Sequence, residues 1–484
     1  MPRQDDGAPD TTGLTARLMQ AAVSALEQRQ PIEALPSLDR LRLLPGQSGI
    51  AAALRAEALL ALGRSAEADG AAAEALEANP GDAARLELRA RAHWACGRSL
   101  EALDMAAAAV IAAPQDIAAL LLFAALLGEE RRHEDAVSVL QDALRRRPGE
   151  PQVLLRLGIA LTRAGRHDEA ADVLGRCAAA APQLPGLAVA RAQAALARRD
   201  MAEAIAIARA GLDQAGGDAA LYSVLAHALE AAGRRDEAWP AFRAASRLAP
   251  EDPYLAHLAA VADGIATERA SAGYVESIFD GYADSFEASL IRLGYRVPGL
   301  VRRAVERHRP DGAPLGSVLD LGCGTGLVGV ALHDLLGVAL HDLLGASLVG
   351  VDLSRRMLDE ARAKGIYTAL LQQDLLAALE DGPGSFDLVC AADVFCYLGR
   401  LDAALALCAR CLAADGLLIF SVERGQDGAA FQLHRQGRYA HAPDLVRADL
   451  AAAGLAPLEI REEALRLDFG RPVEGLFVVA RHAG

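Results

Sequence analysis

The first half of the chain repeats itself with a period of 34 residues, as from Pro80 to Pro114. Five prolines and one glycine mark successive copies, namely Pro80, Pro114, Pro148, Pro182, Gly216 and Pro250. In the same frame an alanine follows an acidic residue at Ala68, Ala102, Ala136, Ala170, Ala204 and Ala238. Proline stops a helix, and alanine lets two helices approach closely. The period therefore indicates a stack of similar helical units.

A turn with the same period lies inside each unit. It is marked by Gly63, Gly97, Gly165 and Gly233, and by Arg131 and Arg199 in the other two units. Two helices, a glycine turn, a small crossing residue and a terminal proline in 34 residues are typical of tetratricopeptide repeats. We predict six repeats over residues 49–252, forming an all-α superhelix whose groove holds a peptide or partner protein. A passive spacer or dimerisation arm is the alternative.

The flanking segments complete the predicted domain organisation. Residues 1–48 should hold an N-terminal segment with a capping helix near residues 14–29. Residues 253–272 should hold a second capping helix, reaching about residue 268, and a linker. Residues 273–484 form the last domain, because the helical period ends near residue 270. A chain of 484 residues is long enough for several buried cores.

The second half alternates short β-rich runs with helical segments. Strands are predicted in GSVLDLG, ASLVGVDLS, YTALLQQD, FDLVCAADV and GLLIFSVE. This alternation is typical of a parallel sheet covered by helices. The last two candidates, PLEIREEALRLD and VEGLFVVARH, are separated only by FGRP, so they should form an antiparallel hairpin. We therefore predict a Rossmann-like α/β domain with a seven-stranded sheet, which makes the chain multidomain.

Charge and cysteine content argue against several classes of protein. The chain has 49 Lys plus Arg against 64 Asp plus Glu, a formal charge of −15, which disfavours nucleic acid and anionic membranes as partners. The apolar run at 117–127 is too short to span a bilayer, and no secretion signal is evident, so we expect a cytoplasmic protein. Cys408 and Cys411 lie in a helical pattern without further ligands, which predicts buried thiols and no metal site.

A glycine-rich segment, VLDLGCGTG, contains the end of the first predicted strand. Gly322, Gly324 and Gly326 allow a sharp turn and let backbone N–H groups approach a ligand. The segment also matches the dinucleotide pattern G-x-G-x-x-G. Asp320 ahead of the glycines argues against a pyrophosphate, because a carboxylate suits a cationic group such as the amino group of a bound amino acid.

This segment resembles motif I of the class I S-adenosylmethionine-dependent methyltransferases. The resemblance covers about residues 270–484 and implies S-adenosylmethionine as the cofactor. In that family the glycine loop contacts the methionine part and the ribose, and Asp352, at the end of the second strand, fits the acid that binds the ribose hydroxyls. Asp374 and Leu375 would lie beside the adenine. The cofactor-binding residues are thus expected to be Asp320, Gly322, Gly324, Gly326, Asp352, Asp374, Leu375, Tyr282 and Phe286.

The whole chain is similar to a bacterial branch of predicted methyltransferases with an N-terminal tetratricopeptide array. The similarity rests on residues 274–298, 391–405 and 437–447. It implies that Tyr282 and Phe286, aromatic residues at helical spacing, belong to a lid over the cofactor, where cation–π attraction to the sulfonium would help. A simple apolar core is the alternative. Glu287 stands where that branch has an aspartate, which keeps the charge.

The acceptor side of the site should follow the later strands, because ligands bind at the carboxyl ends of parallel strands. Asp393 follows the fourth strand and Glu423 the fifth, and both are expected to orient the methyl acceptor. His441, in the loop 424–442, is the candidate general base, since imidazole titrates near neutrality. A structural role beside the next helix is the alternative for His441. Arg438 is expected to neutralise an anionic acceptor.

Two functions are compatible with these features. The first is an S-adenosylmethionine-dependent methyltransferase whose repeats recruit a protein partner or a protein-borne substrate. The second is a non-enzymatic repeat scaffold with a cofactor-binding or degenerate methyltransferase domain. The intact motif, with Asp320, three glycines and Asp352, favours the first. An NAD-linked oxidoreductase is disfavoured because it leaves Asp320 unexplained.

The octapeptide GVALHDLL occurs twice in succession, at residues 329–344. Without one copy, the separation of Gly326 and Asp352 suits a short helix and a return strand, so we interpret the duplication as an insertion. A single helix through both copies would be ~12 Å longer and would overshoot the second strand. We predict a helix break at or near Gly337 and a short helical bulge closed by Gly345, away from the cofactor site.

Overall fold

The computed structural model describes residues 11–265, 267–283, 286–309, 315–336, 347–382, 386–428, 431–434, 437–468 and 471–483. The chain divides into two compact units. The first ends at Gly216 and also includes residues 227–233. The second includes residues 217–226 and the chain from Arg234 onward. The division falls within the sixth predicted repeat.

The helical half begins with two helices, α1 (Thr11–Glu27) and α2 (Pro31–Leu41). Six helix pairs follow: α3 (Ser48–Ala61) with α4 (Ser65–Ala78), α5 (Ala83–Ala95) with α6 (Ser99–Ala112), α7 (Ile117–Glu129) with α8 (His133–Arg146), α9 (Pro151–Arg163) with α10 (His167–Ala180), α11 (Leu187–Ala197) with α12 (Met201–Ala215), and α13 (Ala219–Ala231) with α14 (Arg235–Leu248). The sequence predicts α1 but not α2, because α2 contains Pro36 and lies outside the period.

The six pairs have the features that the period predicts. Left-handed backbone closes the turn in each pair, and Arg131 and Arg199, which replace glycine there, have φ of 59° and 63°. The six periodic alanines are at most 1% exposed. A Cβ at Gly158 in α9 would lie 2.4 Å from Leu174 in α10, so these helices are in close contact. The tetratricopeptide-like architecture is confirmed.

The second unit continues with α15 (Pro253–Ala262), α16 (Ala272–Tyr282), α17 (Phe286–Arg292), α18 (Val297–His308), α19 (Leu327–Leu332), α20 (Arg355–Ala363), α21 (Leu375–Asp381), α22 (Asp402–Cys411) and α23 (Pro443–Ala452). Its strands are β1 (Ser317–Leu321), β2 (Ser347–Asp352), β3 (Ala369–Gln372), β4 (Phe386–Ala391), β5 (Leu412–Arg424), β6 (Gln432–Leu433), β7 (Tyr439–His441), β8 (Leu455–Asp468) and β9 (Arg471–His482). The capping helix α15 is thus six residues shorter than the sequence predicts, since it ends at Ala262.

One sheet contains all of these strands. Strands β3, β2, β1, β4 and β5 are neighbours in that order and parallel. Strand β9 pairs antiparallel with β5 and with β8. The seven predicted strands and the terminal antiparallel hairpin are therefore confirmed.

The predicted loop 424–442 is partly wrong, because it contains β6 and β7. Strand β7 lies parallel to the end of β5, with Glu423 opposite Ala440, and β6 pairs antiparallel with β7. Strands of two and three residues are too short to show an alternating pattern, which is why the sequence does not reveal them.

Side-chain alternation along β1 places a core on each face of the sheet. Val318 packs on one face in a cluster with residues of α18 and α19. Leu319 packs on the other face in a cluster with residues of α21, α22 and α23. Cys408 and Cys411 are fully buried in the latter cluster, as predicted. Both faces of the sheet are therefore covered at β1 in the described part of the chain, which leaves the end of this strand for a ligand.

The helix that contains the first copy of the octapeptide GVALHDLL ends early. Helix α19 ends at Leu332, five residues before the predicted break at Gly337. The N–H of Leu315 donates to the carbonyl of Leu335 at 3.1 Å, and Leu336 forms a parallel bridge with Leu315. The first copy thus returns to the sheet by residue 336. Gly337, the second copy and Gly345 lie outside the described residues.

Candidate functional site

The glycine loop connects β1 to α19 at the carboxyl edge of the sheet. Gly322, Gly324 and Gly326 have φ of 61°, 54° and 89°, values that disfavour any side chain. A Cβ at Gly322 would lie 2.4 Å from Cγ2 of Val394, just after β4. The sequence therefore requires glycine here both for the turn and for close contact with the neighbouring strand end.

Asp352 ends β2 and holds the glycine loop. Its Oδ2 accepts from the N–H of Gly324 at 2.9 Å, and its Oδ1 accepts from the N–H of Ser354 at 2.8 Å. Burial raises the pKa of this carboxyl to about 6. A carboxylate can accept further hydrogen bonds beyond these two. Asp352 can therefore fix the loop and still bind donor groups of a ligand.

Asp320 lies inside β1 and is 1% exposed. Its Oδ2 accepts from the hydroxyl of Tyr367 at 2.7 Å, whereas its buried Oδ1 has no hydrogen-bond partner in the described part of the chain. Burial raises the pKa of the Asp320 carboxyl to about 7. An unpaired buried oxygen is costly and favours a ligand that brings a donor. The sequence does not predict Tyr367, because its position before β3 carries no motif.

Asp374 lies at the end of β3, as the sequence predicts. It caps α21, accepting from the N–H of Leu376 at 3.0 Å. Arg269, which the sequence does not single out, donates from Nη1 to both carboxylate oxygens at 3.2 and 3.3 Å. The neighbouring Leu375 packs on the core beneath the sheet. Asp374 and Leu375 thus lie at the carboxyl end of β3. Their contact with adenine stays a prediction.

Helix α17 lies against the glycine loop, where the predicted lid should be. Cε1 of Phe286 is 3.6 Å from the position of a Cβ at Gly324. Lys364, directly after α20, donates to Glu287 and to the carbonyl of Thr325, both at 2.7 Å. Glu287 therefore anchors the segment through its charge. The predicted role of Tyr282 rests on a side chain outside the described residues.

Aromatic rings continue from Phe286 toward the later strands. The ring centroids of Phe286 and Phe279 are 5.9 Å apart, and those of Phe279 and Tyr397 are 5.8 Å apart. Both pairs meet edge to face, a favourable arrangement for aromatic rings. This row of three rings, here called the aromatic row, runs from the glycine loop to the segment that follows β4.

Asp393 and Glu423, which follow β4 and end β5, meet at one arginine. Arg466 in β8 donates from Nη1 to both oxygens of Asp393 at 2.9 Å, and its Nη2 donates to Glu423. Arg466 is 6% exposed, so the three groups form a buried ion-pair network. Asp393 has φ of 59°, an uncommon backbone conformation for aspartate. The structure thus brings together both predicted acids, and adds an arginine that sequence motifs do not indicate.

Glu423 has two further basic neighbours. Nδ1 of His434 is 3.5 Å away, and Nη1 of Arg438 is 3.6 Å away. Burial raises the pKa of Glu423, but the hydrogen bond from His434 and the charges of Arg466 and Arg438 outweigh it and lower the pKa to about 2. Glu423 therefore stays ionised and is a poor proton acceptor at neutral pH.

His441 lies in β7 and is completely buried. Its Nε2 is 3.1 Å from the carbonyl oxygen of Gly399. Burial lowers the pKa of the ring to about 4. A base acts best with a pKa near the working pH and needs access to the proton that it removes. These observations favour the structural role of His441 over the role of general base.

Two family models match the chain, one in the helical repeats and one in the α/β domain. Residues 318–416 match the model described as a methyltransferase domain, and residues 127–197 match a tetratricopeptide repeat model. The first match runs from β1 to β5 and includes the glycine loop, Asp352 and Asp393. The chain therefore carries tetratricopeptide repeats and a methyltransferase domain.

Two curated relatives resemble parts of the chain. Malonyl-[acyl-carrier protein] O-methyltransferase of Geobacter sulfurreducens is 31% identical over 169 residues, covering 32% of this chain and 60% of that protein. Methyltransferase-like protein 27 of Homo sapiens is 33% identical over 115 residues, covering 23% of this chain and 42% of that protein. The chain thus spans less than two thirds of the length of either relative.

A tetratricopeptide repeat protein from Parabacteroides merdae has a solved structure similar to the helical half. It is 17% identical, and the similarity covers 52% of this chain and 99% of that protein's chain, with a TM-score of 0.46.

Among the described helices, none combines the length and the apolar character that a membrane span requires.

Proposed function

We propose that the protein is an S-adenosylmethionine-dependent methyltransferase whose repeats recruit a protein partner or a protein-borne substrate. The observation that carries the proposal is the arrangement of Asp320, Asp352 and the glycine loop at one sheet edge. The unpaired Oδ1 of Asp320 suits an ammonium donor, and Asp352 has capacity left for hydroxyl donors. S-adenosylmethionine carries both kinds of donor, so the residues fit this cofactor.

Each part of the edge has a role in this proposal. Asp352 would bind the ribose hydroxyls, Asp320 the methionine amino group, and Asp374 with Leu375 the adenine side. When bound, the cofactor supplies a methyl group already activated by its sulfonium. The chain's own task is then mainly to align the acceptor and to exclude water. Phe286 would support both tasks from the lid.

The acceptor side lies along β4 and β5. Asp393 and Glu423 would orient the acceptor indirectly, because both are bound to Arg466. His441 would support β7 from the core. The proposal of a protein-borne substrate is supported by the repeats and by the relative named for malonyl-[acyl-carrier protein].

The test combines binding and transfer. Calorimetry should show that the full-length protein binds S-adenosylhomocysteine. Incubation with methyl-tritiated S-adenosylmethionine and a lysate of cells that lack the protein should place the label on a protein band, and heat-inactivated protein serves as control. Binding without transfer would favour the non-enzymatic scaffold. Label only in small molecules would contradict the protein-borne substrate.

A further inference from the structure

We propose that Tyr367 is a positioning residue of the cofactor site: its hydroxyl holds the Asp320 carboxylate in place, so that the second oxygen of Asp320 accepts from the amino group of S-adenosylmethionine. The inference rests on the proposed function and deepens it, because it names what orients the acid that recognises the amino-acid part of the cofactor. Three observations support it: the hydrogen bond between the two side chains, the unpaired oxygen of Asp320, and the space that three glycines leave for the tyrosine ring.

The Tyr367 hydroxyl binds one oxygen of Asp320 and leaves the other unpaired. The hydroxyl donates to Oδ2 at 2.7 Å, and the buried Oδ1 has no hydrogen-bond partner among the described residues. The terminal torsion of an aspartate has only a broad preference, so a fixed donor on Oδ2 decides where Oδ1 lies. A buried acceptor without a donor is costly. The arrangement therefore favours a ligand that donates to Oδ1.

Three glycines from three elements leave the space that the Tyr367 ring occupies. A Cβ at Gly326, which ends the glycine loop, would lie 2.8 Å from the ring, and one at Gly350 in β2 would lie 2.9 Å from it. A Cβ at Gly329 in α19 would lie 2.7 Å from the hydroxyl oxygen. Gly350 is also the register partner of Asp320 in the pairing of β1 with β2. The three glycines therefore allow the tyrosine to reach Asp320.

The contact at Gly329 also accounts for the last glycine of the G-x-G-x-x-G pattern. In dinucleotide-binding proteins that glycine lets the helix pack closely on the strand. Here Gly329 lies inside α19, and a side chain at this position would meet the hydroxyl that binds Asp320. The tyrosine thus explains the match to the dinucleotide pattern.

The backbone beside Tyr367 is fixed to β2. The N–H of Thr368 donates to the carbonyl of Leu348 at 2.9 Å. The Thr368 hydroxyl donates to the same carbonyl at 2.8 Å and accepts from the N–H of Leu348 at 3.0 Å. The ring of Tyr367 packs on the apolar cluster that contains Val318. Tyr367 is therefore held in place before a ligand binds, and such preorganisation reduces the entropy lost on binding.

The groups around Asp320 make its charge sensitive to pH near neutrality. Burial raises the pKa of Asp320, the hydrogen bond from Tyr367 lowers it, and the charge of Asp352 raises it again, so that it is about 7. Among the described residues, the other titratable groups there are the thiols of Cys323 and Cys390, and burial raises the pKa of both, so they stay neutral. Burial also raises the pKa of Tyr367, so its hydroxyl keeps the proton that it donates. An ammonium group binds the ionised carboxylate, so its affinity should fall as the pH is lowered through 7.

Two ligands separate the amino-acid part of the cofactor from the rest. S-adenosylhomocysteine carries the amino group, whereas 5′-methylthioadenosine keeps the adenine, the ribose and the thioether but lacks the amino acid. Calorimetry on the full-length protein gives both affinities, and their ratio is here called the amino-acid preference. From pH 7.5 to pH 6 the wild-type preference should fall about eightfold, because Asp320 becomes protonated. Asp352 would meet the ribose of both ligands, so its titration cancels in the ratio.

Tyr367→Phe removes the hydroxyl and keeps the ring. A hydrogen bond to a charged group is equivalent to about one to two pKa units, so Asp320 should be mostly protonated at pH 7.5 in this variant. The amino-acid preference should therefore fall about three- to twentyfold, while the affinity for 5′-methylthioadenosine stays within about twofold. Asp320→Asn should lose the preference by itself. Adding Tyr367→Phe to Asp320→Asn should change little more, because the two residues act as one unit.

Tyr439→Phe is the matched control. Tyr439 is fully buried in β7, and its hydroxyl is hydrogen-bonded to the hydroxyl of Thr267. The control variant thus also loses a hydrogen-bonded tyrosine hydroxyl, but not one that binds Asp320. Its affinities for both ligands should stay within about twofold of the wild type.

Gly329→Ala tests the same contact from the other side. The added methyl group would lie against the Tyr367 hydroxyl and should push it away from Asp320. We expect the amino-acid preference to fall in the same direction as in Tyr367→Phe, but by less. Alanine suits the helical position, so the variant should fold.

The outcomes separate this role of Tyr367 from the proposed function. A wild-type preference in Tyr367→Phe would overturn the proposal, and so would equal losses of both ligands, since the tyrosine would then act only through the shape of the loop. If Tyr367→Phe does not fold, a wild-type preference in Gly329→Ala would contradict the proposal. A wild type that binds both ligands equally at every pH would remove the role of Asp320 and leave cofactor binding intact. If the wild type binds neither ligand, the proposed function fails, and the role of Tyr367 fails with it.

Discussion

Asp352 combines two tasks that a substitution can separate. It accepts hydrogen bonds from the backbone of Gly324 and Ser354, and in the proposed function it also binds the ribose. Asp352→Ala should therefore weaken the affinity for S-adenosylhomocysteine by about 1 to 3 kcal/mol, the range for lost hydrogen bonds to a charged group. Isothermal calorimetry measures this change directly.

Asp387 offers a matched control at the opposite edge of the same sheet. Its Oδ2 accepts from the N–H groups of Gly316 and Ser317 at 2.7 and 3.0 Å. Asp387→Ala thus also removes a carboxylate that holds two backbone groups, but far from the cofactor residues. We expect it to lower the melting temperature without changing the cofactor affinity. Equal losses of affinity in both variants would mean that Asp352 acts only through the fold.

His441 can be tested through the pH dependence of stability. Its pKa is about 4 in the folded protein and near 6.5 in an unfolded chain. Between these values the unfolded chain binds more protons, so the free energy of unfolding falls as the pH is lowered. From pH 7 to pH 5 the wild type should lose about 2 kcal/mol more stability than His441→Gln, which lacks this titration.

Turnover of His441→Gln separates the two roles of this histidine. Glutamine can still donate to the carbonyl of Gly399, so a structural role predicts nearly unchanged turnover. A general base predicts a loss of about 10² to 10⁴. Denaturant unfolding at the two pH values, beside a methyl-transfer assay at pH 7.5, gives both answers. A large loss of turnover with unchanged stability would restore His441 as the base.

Site residues that follow their strands directly could be predicted from the sequence. Asp352, Asp374 and Asp393 come at strand ends, where parallel topology brings them to one edge. Arg466 could not be predicted, because it is 73 residues from Asp393 and reaches the edge only through the antiparallel pairing of β8. Tyr367 is likewise 47 residues from Asp320 and has no motif of its own. Periodicity identifies elements but not the partners of a single side chain.

At the scale of elements, the repeated octapeptide shows how the fold accommodates an insertion between α19 and β2. Leu336 pairs with Leu315, two residues before β1, and Ser347 pairs with Ser317 at the start of β1, both in the parallel direction. Two residues further along a strand correspond to about 7 Å. Leu336 and Ser347 therefore pair with residues only two positions apart along this segment.

Deleting residues 337–344 should consequently preserve the site. The remaining Gly345 and Ala346 would join Leu336 to Ser347 with one residue more than the register requires, which a β-bulge accommodates. A shorter loop also costs less closure entropy, so the melting temperature should stay equal or rise. Thermal unfolding with and without S-adenosylhomocysteine measures both properties. Loss of cofactor binding would show that the second copy belongs to the site.

Long periodic elements were the easiest to predict, and short or distant ones the hardest. Six helix pairs share one period, so each repeat supports the assignment of the others. Strand β7 has only three residues and becomes a strand because β5 extends beyond its pairing with β4 and pairs with β7 there. No local pattern in the sequence carries that information.

At the scale of the whole molecule, the boundary between the two units differs from the predicted boundary between the repeats and the last domain. The sequence groups residues 234–252 with the repeats and α15 with a linker, whereas the contacts group both with the methyltransferase domain. His257 in α15 explains part of this, since it contacts the backbone at Gly437 and the ring of Tyr274. Helical periodicity predicts a capping helix, but not the surface on which the helix packs.

This grouping predicts where cofactor binding should stabilise the full-length protein. S-adenosylhomocysteine at 100 times its dissociation constant stabilises the bound unit by about 2.7 kcal/mol. Hydrogen exchange should therefore slow in peptides covering β1, β2, α16 and α15, because α15 packs on the loop that precedes Arg438. Peptides in α3–α12 should exchange at unchanged rates, since each repeat interacts mainly with its neighbours. Asp352→Ala at the same ligand concentration is the control and should show less slowing, in proportion to its lost affinity for S-adenosylhomocysteine. Slower exchange throughout α3–α12 would show that the repeats respond to the cofactor.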